Sequence, residues 1–228
     1  MDSDFFSNIY SYVFSLTLPA DFSTAFFAID TIAAITFAIT GALVASRKEL
    51  DILGFMWFAI ITGVGGGTVR DLILDQPVFW IVDQTPIYAC LVTAILVYFI
   101  APRIESRYKY ILWADALGMA FVTIAGTAKS LEFGTGSVVA IIMGVTTASV
   151  GGIIRDTLGQ EPSVILRREI YVAASAAGAI TMTSLVAGGV PAIRAAAIGF
   201  CVAFLLRILA VIFNWTIPVY RSRPGSKK

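Results

Sequence analysis

A long internal repeat constrains this chain more than any other feature. Gly65-Gly66-Gly67-Thr68-Val69-Arg70-Asp71 returns as Val150-Gly151-Gly152-Ile153-Ile154-Arg155-Asp156, an offset of 85 residues. The same offset of 85 pairs Asp30 with Asp115, Gly41 with Gly126, Thr62 with Thr147 and Pro77 with Pro162, with no gap. One unit has therefore been used twice, and each copy puts a glycine cluster and an Arg-Asp pair at the same point.

Composition says where such a unit can live. The chain is 58% hydrophobic and only 14% charged, whereas a soluble domain carries about 25% charged residues. Too little charge remains to wet a globular surface, so the chain reads as an all-α integral membrane protein. Histidine is absent, which removes the commonest general base and metal ligand. With no nucleophile–base cluster either, an enzyme is not expected, nor a cofactor or metal. No basic stripe is present to suggest nucleic acid. Cys90 and Cys201 each sit in an apolar run and read as buried small hydrophobes. The acidic start Met1-Asp2-Ser3-Asp4 is unlike a secretory signal, which opens with a basic segment.

Seven spans are expected, near residues 24–45, 52–69, 86–101, 110–128, 137–154, 169–187 and 192–217. A bilayer core needs about 20 apolar residues, so the third must borrow from its flanks. Residues 1–23 are apolar but interrupted by Pro19 and Asp21, which suits a short interfacial helix. The divisions are an extension over 1–23, a three-helix repeat over 24–107, a second over 108–188, a seventh helix over 189–217 and a tail over 218–228.

Seven crossings put Arg47, Lys48, Arg103, Arg107, Lys109, Arg167, Arg168, Arg221, Arg223, Lys227 and Lys228 on one face. The other face receives Lys129 and Arg194, crowded by Asp2, Asp4, Asp21, Asp75, Asp83 and Glu132. The positive-inside rule then places the N-terminus outside and the C-terminus in the cytoplasm. An odd number of spans per unit makes the second copy enter from the opposite side. The copies form an inverted repeat about an axis in the membrane plane, and such repeats hold their binding or permeation site at the repeat interface. The basic clusters could also attract anionic lipid head groups, though topology alone explains them.

Gly66 lies about 14 residues into its span, or ~21 Å at about 1.5 Å per residue. In a core ~30 Å thick that is past the midplane, and Gly151 reaches a similar depth from the other side. Three adjacent glycines cost about 1 kcal/mol each relative to alanine in a helix, and the expectation is a break that frees backbone carbonyls. Val64, Gly65, Gly66 and Gly67, with Ser149, Val150, Gly151 and Gly152, are then the candidate carbonyl lining of a cation path. Thr62, Thr147 and Ser149 add hydroxyls at the same level. The plainer alternative is that the glycines only let helices approach closely. Packing alone does not call for an Arg-Asp pair four residues on in both copies.

Bare Arg70 and Arg155 would repel a cation. Each is expected to pair with Asp71, Asp156 or the repeat-matched Asp30 and Asp115, and to latch a gate near each mouth. The alternative is a pair of arginines snorkelling to the interface beside capping aspartates. Lys129 could anchor its span or modulate conduction, and Arg207 could snorkel or pair across a subunit contact.

At the doubled Gly-Gly-Gly-Thr-Val-Arg-Asp and Gly-Gly-Ile-Ile-Arg-Asp motif, on three-plus-three-plus-one spans, the chain resembles the prokaryotic trimeric intracellular cation (TRIC) channels over residues 24–215. The resemblance implies homotrimers in the cell membrane, each subunit with its own pore lined by the first, second, fourth and fifth spans. It implies passage of monovalent cations, chiefly potassium. Val150 stands where the first copy has Gly65, so the halves need not contribute equally. The competing reading is an inverted-repeat secondary transporter for a small polar or ionic solute.

Overall fold

A computed structural model describes residues 20–103, 107–163 and 170–216. Its helices are α1 (Ala20–Arg47), α2 (Ile52–Ile73), a single turn α3 (Phe79–Val82), α4 (Thr85–Ile100), α5 (Arg107–Glu132), α6 (Ser137–Leu158), α7 (Val172–Ala187) and α8 (Ala192–Ile212). A 3-10 turn, Ala101–Arg103, prolongs α4. The protein is an all-α membrane protein whose seven spanning helices are two inverted three-helix repeats plus one. α1, α2 and α4 form the first repeat, α5, α6 and α7 the second, and α8 is the additional helix. The interfacial helix expected over 1–23 lies outside the described residues except at its end, where α1 begins at Ala20.

Among the described residues six helices are long and apolar enough to cross a membrane. The third span borrows from its flank as expected: the 3-10 turn brings Thr85–Arg103 to 19 residues. α7, also 16 residues, has no such extension among the described residues and stays short. Helices suit this environment because they satisfy their backbone groups internally where no water is available. Exposed Leu53, Trp57, Leu72, Phe99, Ile142 and Leu205 suit a lipid-facing surface. Cys90 is buried as expected, but Cys201 is exposed, because α8 lies at the edge of the bundle and turns that residue outward.

Turn chemistry repeats along with the sequence. Glu49 (φ 55) matches Gly134 (φ 73), and Asp75 (φ 53) matches Gln160 (φ 50), so both copies turn through left-handed backbone at the same places. The Gln76 N–H donates to the Asp71 carbonyl at 2.8 Å, and the Glu161 N–H to the Asp156 carbonyl at the same distance. At the start of α2 the Asp51 carboxylate accepts the Gly54 N–H at 2.8 Å, satisfying one of the donors a helix leaves unpaired.

α1 packs on α2 and α5, α5 on α6, and α2 on α6, making a central group of four. α4 covers α1 and α2, whereas α7 and α8 cover the second repeat. The self-matching contacts, α1 on α5 and α2 on α6, lie across the pseudo-two-fold.

The breaks expected at Gly65–Gly67 and Gly151–Gly152 do not occur. α2 and α6 each run as uninterrupted α-helix through their glycines. The reason lies across the axis. A Cβ on Gly66 would run into the Thr147 carbonyl oxygen, and one on Gly151 would come within 2.9 Å of the Thr62 carbonyl oxygen. The glycines let two helices meet backbone to backbone, which is how small residues act between membrane helices. The carbonyls of Val64, Gly65, Gly66, Ser149, Val150 and Gly151 accordingly belong to helical backbone.

Candidate functional site

The crossing of α2 and α6 is flanked by the two arginines, one turn beyond each glycine cluster. In the first copy, Arg70 holds Asp30 of α1 in a two-pronged pair, Nη1 to Oδ1 at 2.9 Å and Nη2 to Oδ2 at 3.1 Å. Its Nε donates to Asp71 Oδ1 at 2.8 Å. Lys129 Nζ from α5 reaches the same Asp71 oxygen at 2.8 Å. The other Asp71 oxygen accepts the Phe79 N–H at 2.9 Å, at the start of α3. The Phe79 ring lies 5.7 Å from the Arg70 guanidinium carbon, within cation–π range.

In the second copy, Arg155 Nη1 donates to Asp115 Oδ1 of α5 at 2.7 Å. Its Nε and Nη2 share Asp156 Oδ1 at 2.9 and 2.8 Å. Arg70 is 0% exposed and Arg155 3%. Snorkelling is therefore not their arrangement: each is held inside the bundle between two carboxylates. A buried charge persists only when paired, and removing one partner costs about 3–5 kcal/mol.

The candidate hydroxyls fare differently from one another. Thr147 Oγ1 donates to the Met143 carbonyl at 2.6 Å, and Ser149 Oγ to the Val145 carbonyl at 2.8 Å. Both are spent inside α6. Thr62 Oγ1 is buried with no hydrogen-bond partner among the described residues, an arrangement that costs about 1–3 kcal/mol.

Two parts of the site were beyond the sequence reading. One is the Phe79 N–H, a backbone donor with no residue signature. The other is Tyr171, whose hydroxyl donates to the Ala148 carbonyl of α6 at 2.9 Å. Arg207 of α8 stands 5.2 Å over the Tyr171 ring and is 1% exposed, so it too points inward rather than to an interface. The available signal was Tyr171 itself, placed where the first copy has Pro86. Among the described residues no group of three or more His, Cys, Asp or Glu is placed to hold a metal ion.

The fold and this site define a class: a polytopic helical membrane protein whose inverted halves meet at a glycine crossing between ion-paired arginines. The family model described as "Glycine transporter" matches twice, over residues 27–102 and 112–187, and the chain belongs to that family, alongside the prokaryotic TRIC channels. The chain is similar to the solved TRIC trimeric intracellular cation channel orthologue from Rhodobacter sphaeroides. That likeness has 46% identity and a TM-score of 0.82 over 84% of this chain and 100% of the other. It is 35% identical to the inner membrane protein YadS of Escherichia coli K12, over 84% of this chain and 94% of that one. It is 31% identical to the membrane protein YvgT of Bacillus subtilis, over 83% and 94%.

Proposed function

We propose that the protein is a monovalent cation channel, chiefly for potassium, with a pathway inside each subunit among α1, α2, α5 and α6. One observation carries this reading: both arginines beside the crossing are neutralised by carboxylates, so an approaching cation meets no bare positive charge. The likeness to the Rhodobacter sphaeroides cation channel supports the same class.

The crossing is packed shut, with Thr62, Gly66, Thr147 and Gly151 buried, and this suits a closed state. Conduction then requires α2 and α6 to part along Thr62, Val64–Gly67, Thr147 and Ser149–Gly152. The pairs Arg70–Asp30, Arg70–Asp71, Arg155–Asp115 and Arg155–Asp156 act as latches, and Lys129 modulates the first through Asp71. The working unit is a homotrimer in the inner membrane, in contact with its lipids. The N-terminus is outside and the C-terminus cytoplasmic, as the basic residues direct.

Potassium efflux from liposomes tests the reading. Wild type is expected to release potassium, Gly66→Leu to abolish release and Arg70→Ala to change the open fraction. Assembly of each variant is checked by size-exclusion chromatography. Unchanged efflux in both variants would take the crossing out of the pathway.

A second reading rests on the family description, Glycine transporter. In it, the same packed crossing closes one side of a carrier that alternates access for glycine. Saturable counterflow of glycine without unitary current would favour it.

A further inference from the structure

The two halves of the crossing differ in how they use a matched pair of threonines. Thr62 and Thr147 occupy equivalent positions, 0.99 or more buried in each case (1% exposed), and each faces the glycine of its own repeat's first helix. A Cβ on Gly41 would lie 2.6 Å from Thr62 Oγ1, and one on Gly126 would lie 2.8 Å from Thr147 Oγ1. Thr147 turns its hydroxyl onto the Met143 carbonyl one helical turn back. Thr62 leaves its hydroxyl without a partner among the described residues.

Thr62 therefore brings one oxygen to the α2–α6 crossing and a second to the adjoining contact of α2 with α1. Its carbonyl abuts Gly151 across the axis, and its hydroxyl lies against Gly41. Gly41 keeps a side chain off the Thr62 hydroxyl, where the Phe58 carbonyl oxygen also comes close. A hydroxyl has acceptor lone pairs that can replace part of a small cation's hydration shell. The internal hydrogen bond of Thr147 competes with that use, and Ser149 is occupied in the same way.

We infer that Thr62 alone supplies the coordinating hydroxyl for a monovalent cation passing beside the α2–α6 crossing, making it a specificity-determining residue of the first repeat. The inference rests on the channel reading and adds an asymmetry to it. The second repeat contributes shape at this level, and the first contributes the ligand.

The test uses the full-length protein in phosphatidylethanolamine–phosphatidylglycerol liposomes, with potassium and sodium flux measured separately. The proteins are wild type, Thr62→Val, Thr62→Ser and Thr147→Val, with a thermal melt of each in detergent. Thr62→Val is expected to lower potassium flux about fivefold or more and to shift the potassium-to-sodium ratio, since the hydroxyl is its only polar loss. Its melting temperature should match or exceed wild type, because removing an unsatisfied buried hydroxyl relieves the fold. Thr62→Ser restores the hydroxyl and is expected to restore flux and ratio, and Thr147→Val is expected to keep the wild-type potassium-to-sodium ratio whatever its total flux.

Thr62→Val conducting with the wild-type ratio would overturn the inference. So would Thr147→Val shifting the ratio as far as Thr62→Val does, or Thr62→Ser failing to rescue. Absence of cation flux in wild type is a different outcome, because it defeats the channel reading itself and takes this inference with it.

Discussion

In the first repeat, Arg70 is gripped by Asp30 and Asp71, and Asp71 is gripped in turn by Lys129 and the start of α3. In the second, Arg155 is gripped by Asp115 and Asp156, and α8 places Arg207 on the ring of nearby Tyr171. The arginine with its two carboxylates is common to both copies, because a buried guanidinium tolerates nothing less. What surrounds it is not. Val44 stands at the position matching Lys129, and Pro86 at the one matching Tyr171. Lys129 belongs to the second repeat and Asp71 to the first, so the first ion-pair cluster ties the two repeats together. The acidic partners of Arg155 both come from its own repeat.

That difference can be tested by stability, beginning where the largest effect is expected. Asp71→Ala leaves Arg70 with Asp30 alone and takes away the partner of Lys129 and of the Phe79 N–H, and is expected to cost about 3–5 kcal/mol by denaturation in detergent. Asp115→Ala removes one partner of Arg155 and should cost less. Equal losses would mean that Lys129 and Phe79 add nothing to the first cluster. Next come Gly66→Ala and Gly151→Ala, each overpacking the crossing by about 1–3 kcal/mol. Gly66→Ala should be the worse, because its added Cβ meets the Thr147 carbonyl more closely than Gly151's meets that of Thr62. The reverse order in thermal melts would show that the crossing relaxes differently in the two helices.

Tyr171→Phe removes the bond to the Ala148 carbonyl and should cost about 1 kcal/mol. Substitution at Pro86, its repeat mate, tests no such bond. The smallest effect belongs to Arg47→Ala. Its bridge to Glu161 spans 3.2 Å with the arginine side chain 33% exposed, so a loss under about 1 kcal/mol is expected. High salt should shrink that loss further, and an undiminished one would point to burial in the assembled protein.

The doubled motif carried the topology on its own. Once Asp30, Arg70 and their mates at 115 and 155 align without a gap, three spans per unit and their inversion follow from counting crossings. The aspartate partners of both arginines were legible for the same reason, since a charge at that depth demands an opposite one. The state of the glycines was not legible locally. Whether Gly66 breaks a helix or admits a neighbour depends on Thr147, 81 residues away, and the intrinsic cost of glycine is the same in either case. The flank that α4 borrows, its 3-10 turn, was legible from its length. The start of α7 at Val172 rather than near residue 169 was not, helix ends being the least regular part of a span. The Phe79 N–H could not have been found, because every residue but proline carries one.

Unitary current recorded in a planar bilayer under a potassium gradient tests the central claim most directly, that cations pass each subunit where α2 and α6 cross. Discrete steps reversing toward the potassium equilibrium potential, abolished in Gly66→Leu protein that still assembles, are the predicted result. A silent bilayer from protein that performs saturable glycine counterflow would contradict it.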